Sequence, residues 1–166
     1  MAVTGKIDRK YMAHYIDAGS LCGGLTPKYE RLGKDLEEYN VELNPDTETS
    51  KNILGESTFK HNGYEVSSDA DPFYADTTSD LFTALQKIVD GRLKDDNLKT
   101  KAVEAHLWTE ATAGKYEAYQ QDCYVVPTSY GGDTSGYQIP FTVNYVGERV
   151  KGTFDISTKA FTADSE

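Results

Sequence analysis

The chain is short of cysteine, of histidine and of positive charge, and it has no long apolar run. Each shortage closes off a class of function. Cys22 and Cys123 are the two cysteines among 166 residues. They form neither a CxxC pair nor a zinc-like spacing, so they read as free thiols made in a reducing compartment. The three histidines, His14, His61 and His106, accompany no HExxH and no GxSxG, and the zinc-protease and serine-hydrolase signatures are therefore missing. The glycines of Leu21-Cys22-Gly23-Gly24-Leu25 make neither GxxxxGK[ST] nor GxGxxG ahead of a helix, which removes the usual phosphate cradles. Lysine and arginine number 17 against 27 acidic residues, a net charge of -10, and such a chain repels nucleic acid and acidic membrane surfaces at long range. The N-terminal stretch has basic residues but no apolar h-region, and no segment is apolar for long enough to span a bilayer. The expectation is a protein made in the cytoplasm, without a cleaved signal, a membrane partner or a cofactor.

What is present is strand signal. The length fits one domain, 1-166, large enough to bury most of the surface its unfolded form exposes. With 38% hydrophobic and 27% charged residues the composition is globular. In Leu36 to Leu43, Tyr39, Val41 and Leu43 alternate with Glu38, Asn40 and Glu42, which predicts a strand with one core face and one acidic face. Alternation returns in Val103, Ala105 and Leu107, then in Ile139, Phe141, Val143 and Tyr145, and again in Val150, Gly152, Phe154 and Ile156. The last two runs flank Val146-Gly147-Glu148-Arg149, whose composition predicts a tight hairpin turn. Tyr116 to Pro127 is another strand-rich segment, followed by a flexible loop over Tyr130 to Gly136. Lys10 to Ala18 and Tyr29 to Leu43 read as strands around a glycine-rich loop that is a poor place for a core.

One helix stands out. Leu81, Phe82, Leu85, Ile88 and Val89 make a single apolar stripe at helical spacing over about 79-90. Ser79 or Thr78 supplies the N-cap oxygen, and Gly91 is placed to end the helix as its C′ residue. Just before it, Asp71-Pro72 reads as a strand-breaking turn, with Phe73 and Tyr74 anchoring it. A mainly β chain with one amphipathic helix is most economically a β-sandwich or barrel covered on one side by that helix.

Asp69-Ala70-Asp71 carries carboxylates two apart, as at the start of a cation loop, but the further ligands and turn glycine of an EF-hand do not follow. A hydrolase or metal enzyme built on Asp69, Asp71 and a histidine is thus one alternative, and a binding module using exposed aromatics such as Trp108 and Tyr130 is another. Twelve tyrosines suit partly wet contact surfaces, although tyrosine is also at home in half-exposed strands.

Several stretches together resemble a known family. Thr4-Gly5-Lys6-Ile7-Asp8-Arg9-Lys10, Ile53-Leu54-Gly55-Glu56-Ser57, Gly63-Tyr64-Glu65-Val66 and Asp69-Ala70-Asp71-Pro72-Phe73-Tyr74 running into the helix resemble the major tail protein (tail tube protein) of long-tailed bacteriophages and related prophages of Gram-positive bacteria. The resemblance covers essentially the whole chain. It implies a non-enzymatic structural protein of the virion tail, assembled in the host bacterial cytoplasm: a tail tube fold whose homohexameric rings stack into a conduit for DNA ejection. Its implied partners are further copies of itself, the tape measure protein, and tail terminator and tip proteins, with DNA only in transit. It also implies an N-terminal arm over 1-10, a projecting loop or hairpin over 45-59 and a C-terminal arm over 158-166. Lys6, Ile7, Arg9, Ile53, Leu54 and Phe161 are the corresponding candidates for ring-to-ring contact. Glu38 and Glu42 are candidates for an acidic bore that phosphates would not stick to.

Overall fold

The computed structural model describes residues 3–109 and 112–165. Met1, Ala2 and Glu166, counted above in the terminal arms, lie outside them. Two strands dominate, β8 (Lys115–Pro127) and β11 (Phe141–Asp155), paired antiparallel along nearly their whole lengths. Around them lie β1 (Met12–Asp17), β2 (Tyr29–Leu32), β3 (Val41–Glu42), β6 (Ser67–Ala70), β7 (Lys99–His106) and β12 (Ala160–Ala163). These form one antiparallel eight-stranded sheet in the order β2-β1-β7-β8-β11-β6-β3, with β12 added to β11. Two small ribbons stand apart, β4 (Pro45–Lys51) with β5 (Ser57–Tyr64), and β9 (Gly131–Asp133) with β10 (Gly136–Gln138). The fold is mainly β, a curled half-barrel sheet with one helix, α1 (Asp80–Gly91). The expected barrel-like fold is present, built from one curling sheet.

The sheet has two cores, on opposite faces. Ile16, Ala102, Cys123, Val125, Phe141, Val143 and Ala70 meet the helix residues Leu81, Leu85, Ile88 and Val89. Ala13, Tyr15, Val103, Ala105, Ala118 and Phe154 form the second cluster. Tyr15 and Ile16, or Ala102 and Val103, are sequence neighbours, and neighbours in a strand point to opposite sides. Phe154 of β11 lies 4.4 Å, ring centre to ring centre, from Tyr15 of β1, although β7 and β8 lie between those strands in the sheet. Only a curled sheet brings them together.

This explains a correction. The residues Val146 to Arg149 are not a hairpin turn: β11 runs straight through, with a register shift between Val146 and Val150, and both of its halves pair with β8. The apolar residues change from odd (Phe141, Val143, Tyr145) to even (Gly152, Phe154) because the covered face of the sheet changes, and the chain never reverses. The real reversal follows Asp155, and β12 returns along β11 with Phe161 opposite Phe154. Residues 158-163 are thus turn and strand, and Phe161 packs on the second core, so this part of the expected C-terminal arm is not free.

The strand expected over Leu36 to Leu43 is a second correction. Only Val41–Glu42 pair, on the sheet edge. Tyr39 is buried while Leu43 is exposed, and the Tyr39 carbonyl accepts from Arg9 Nη2 at 2.9 Å. One guanidinium holds the segment where a ladder was expected. Tyr130 to Gly136, expected as a loop, enters the β9–β10 ribbon.

The glycine-rich loop after β1 is likewise organised around one carboxylate. Asp17 Oδ1 accepts from Gly19 N, Ser20 N and Lys28 N at 3.1, 3.2 and 2.8 Å, and Oδ2 accepts from Ser20 Oγ at 2.6 Å. A Cβ on Gly19 would sit 1.9 Å from the Thr26 carbonyl oxygen, so the loop closes only over glycine. Leu21 is carried into the helix-side core, contrary to the expectation that this loop contributes little. Asp17→Ala would strand donors at a buried site, and a loss of roughly 2–4 kcal/mol is expected. Thermal melts should show Asp17→Ala well below wild type and Asp17→Asn between the two; an unchanged Asp17→Ala melt would contradict this account of the loop.

Candidate functional site

The turn and helix start lead from β6 into α1. β6 ends at Ala70, and a cis Asp71-Pro72 peptide follows. Phe73 then packs edge-on against Phe141 at 5.3 Å, and Tyr74 bridges to Gln138. Asp76 accepts from Thr78 N and Thr78 Oγ1, and these donors, with Lys34, hold its carboxyl down at about 2. Ser79 is the N-cap: its Oγ accepts from Phe82 N at 3.1 Å and donates to Glu30. At the other end the left-handed residue is Arg92 rather than Gly91, with Arg92 N donating to Val89 O and Leu93 N to Ile88 O. Gly91 is instead helical, and a Cβ there would press on Leu93 at 3.1 Å. The Arg92 guanidinium donates to Val89 O and to the Tyr130 hydroxyl, both at 2.9 Å.

These residues shape the turn and the two helix ends. Among the described residues no group of three His, Cys, Asp or Glu could hold a metal ion. Asp69 accepts from Thr142 Oγ1, and Asp71 is exposed. Cys123 is buried, and burial pushes its thiol up to about 12, while burial also raises the half-buried Cys22. Trp108 stacks on His106 at 4.4 Å and Tyr130 lies under Arg92, so each gives one ring face to its own chain.

The surface features are more informative. β4 and β5 form a ribbon whose β4 residues are all exposed. At its tip Asn52 Oδ1 accepts from Leu54 N and Glu56 N, Asn52 Nδ2 donates to Glu56 Oε2, and Gly55 takes a positive φ. This rigid turn presents Ile53 at 102% and Leu54 at 77% exposure. Along the ribbon Phe59, His61 and Tyr64 make a further exposed aromatic row, with His61 and Tyr64 ring centres 4.7 Å apart. Of the other contact candidates, Lys6 and Ile7 are exposed, while Arg9 is occupied by Met12 O and Tyr39 O. Glu38 and Glu42 are exposed but share no strand face.

A cleft of about 550 Å³ opens beside Arg9, lined by cationic Lys10, Arg31 and Lys34, by acidic Glu37 and Glu38, and by apolar Met12, Leu32 and Leu36. His14 lies at its inner end, buried against the Tyr39 ring at 4.8 Å. Burial first, and then the positive charge of Arg9, lowers His14 from 6.5 to about 4. Behind it Tyr39, Ser68 and Tyr145 share a hydroxyl network, with Tyr39 and Ser68 oxygens 2.6 Å apart.

No protein-family model and no curated protein matches this chain. Solved structures similar in fold include the following two. One is the sheath/tube terminator of an extracellular contractile injection system (PVC) in its extended state, with TM-score 0.49, 10% identity, and coverage of 90% of this chain and 99% of that one. The other is the tube-terminating cap of the anti-feeding prophage, with TM-score 0.49, 11% identity, and coverage of 92% and 95%.

A buried neutral histidine makes stability depend on pH. The unfolded chain takes up a proton near 6.5, whereas folded His14 resists it down to about 4. Its contribution is complete above 6.5 and is lost as pH falls from 6.5 toward 4, by about 3 kcal/mol in total. His14→Phe should flatten that part of the profile in melts taken from pH 7 to pH 4; an unchanged slope would assign it to other groups.

Proposed function

We propose that this chain is a structural subunit of a phage-type tail, forming rings that stack into a hollow conduit for DNA ejection. The observation that carries the reading is the β4–β5 ribbon. Two strands alone are marginal in water, yet these stand uncovered and hold Ile53, Leu54, Phe59 and Tyr64 toward solvent. A second chain covering that surface supplies the burial the ribbon lacks. The exposed residues are aliphatic and aromatic, as at the centre of protein interfaces. The resemblance in sequence supplies the rest of the proposal: hexameric rings, tape measure and tip proteins as partners, location in the tail, and a role without catalysis. DNA passes through and is not bound specifically.

The two proteins of similar fold are named for ending a tube, which adds a second placement, a terminal ring. The same lateral contact serves both placements. They differ in whether rings stack.

Negative-stain microscopy of the concentrated protein tests the reading. Stacked tubes of uniform width are expected for the repeating subunit and single rings for the terminal one. A protein that stays monomeric at every concentration and salt level would overturn both. Ile53→Asp with Leu54→Asp should abolish particles while leaving the melting temperature nearly unchanged, since exposed substitutions away from packed features typically move stability by about 0.5 kcal/mol or less.

A further inference from the structure

The cleft beside Arg9 and the tip of the ribbon are complementary, and we propose that each cleft receives the Ile53-Leu54 tip of a second copy of this chain. The inference rests on the self-assembly reading above and names the surface that accepts the tip.

The cleft combines an apolar floor of Met12, Leu32 and Leu36 with a charged rim in which Arg9, Lys10, Arg31 and Lys34 outnumber Glu37 and Glu38, Lys34 also pairing with Asp76 at 3.2 Å. Its volume of about 550 Å³ is ample for two aliphatic side chains. The rim is held in place from within: Arg9 donates to Met12 O and Tyr39 O at 2.6 and 2.9 Å, and Arg31 Nη2 donates to Lys10 O at 2.8 Å. Each guanidinium has five N–H donors, so both retain donors for an outside acceptor. The tip brings matching groups. Ile53 and Leu54 are the apolar pair, and Glu56 uses one carboxylate oxygen on Asn52 and keeps the other available. The Asn52 bonds fix the tip before contact, so little ordering is lost on docking.

Geometry points to another copy as the donor of the tip. The ribbon leaves the sheet at Pro45, and six residues of strand place its tip about 20 Å from that root. Within their own chain Ile53 and Leu54 stay open to solvent and do not occupy the cleft. Charge favours the same arrangement. Each copy carries -10, and a rim whose four cations outnumber Glu37 and Glu38 is a place where a neighbour's acidic surface meets less repulsion. Tip and cleft are different surfaces, so the contact is head-to-tail, the kind that closes into rings or extends into filaments.

The test mixes two variants of the full chain, Leu54→Cys and Lys34→Cys, under conditions in which wild type forms particles, and adds a short bis-maleimide crosslinker. Both positions are exposed, and wild type treated alike controls for Cys22 and Cys123. The expected result is a crosslinked dimer that appears on mixing, absent from either variant alone, and reduced roughly tenfold or more when Ile53→Asp is added to the Leu54→Cys copy. Particles without this crosslink would overturn the cleft as acceptor while leaving self-assembly intact. Neither particles nor crosslink at any concentration would overturn self-assembly itself, and the cleft with it.

Discussion

The pairing of β8 with β11 is the constraint on which the rest depends. Along one half, Cys123 and Val125 of β8 stand opposite Tyr145 and Val143 on the face that the helix covers. Along the other half, Ala118 stands opposite Gly152 and Tyr116 opposite Phe154, on the face that closes around Tyr15 and Tyr29. Two strands so long cannot stay flat, because each residue adds twist, and the irregularity at Gly147 to Arg149 takes up the bend. A single sheet therefore serves two cores, and β1 with Ala102 and Val103 of β7, buried on both faces, is where they meet.

Arg9 links that frame to the surface. Its guanidinium joins the turn before β1 to the irregular segment at Tyr39. It also forms one wall of the cationic cleft and adds to the field that keeps His14 neutral. Remove it, and three features lose the same support. Such sharing is economical in a chain with 17 basic residues.

Where one local rule governs, the sequence is legible. The stripe from Leu81 to Val89, the Ser79 cap and the strand break at Asp71-Pro72 are decided within a few residues, and all can be read from spacing. The helix end shows the limit of such reading: Gly91 was expected to be left-handed, but Arg92 takes that role and binds Val89 O and Tyr130, a partner distant in sequence. Strand reversals and face changes are harder to read. A switch from odd to even apolar positions looks the same whether the chain reverses or the covered face of the sheet changes, and only the curl of the whole sheet separates the two. Tyr39 kept its burial without its strand because Arg9, thirty positions away, replaced the ladder. Asp17 gave no signal at all, since a lone aspartate before glycines could equally be a surface turn. Of the candidate interface, Ile53 and Leu54 follow from the resemblance, whereas the cleft draws on Arg9, Arg31 and Leu36 from three separate segments.

The proposed self-assembly sets an acidic chain an electrostatic problem, and the distribution of charge here offers a physical route. Surface carboxylates are screened beyond about 8 Å at physiological salt, so distant parts of two copies hardly sense each other. Repulsion matters only where surfaces touch. The ribbon tip is mostly aliphatic, and in the cleft four cations outnumber the carboxylates of Glu37 and Glu38. The remaining acids can then stay on surfaces that face water, where their repulsion costs the contact little.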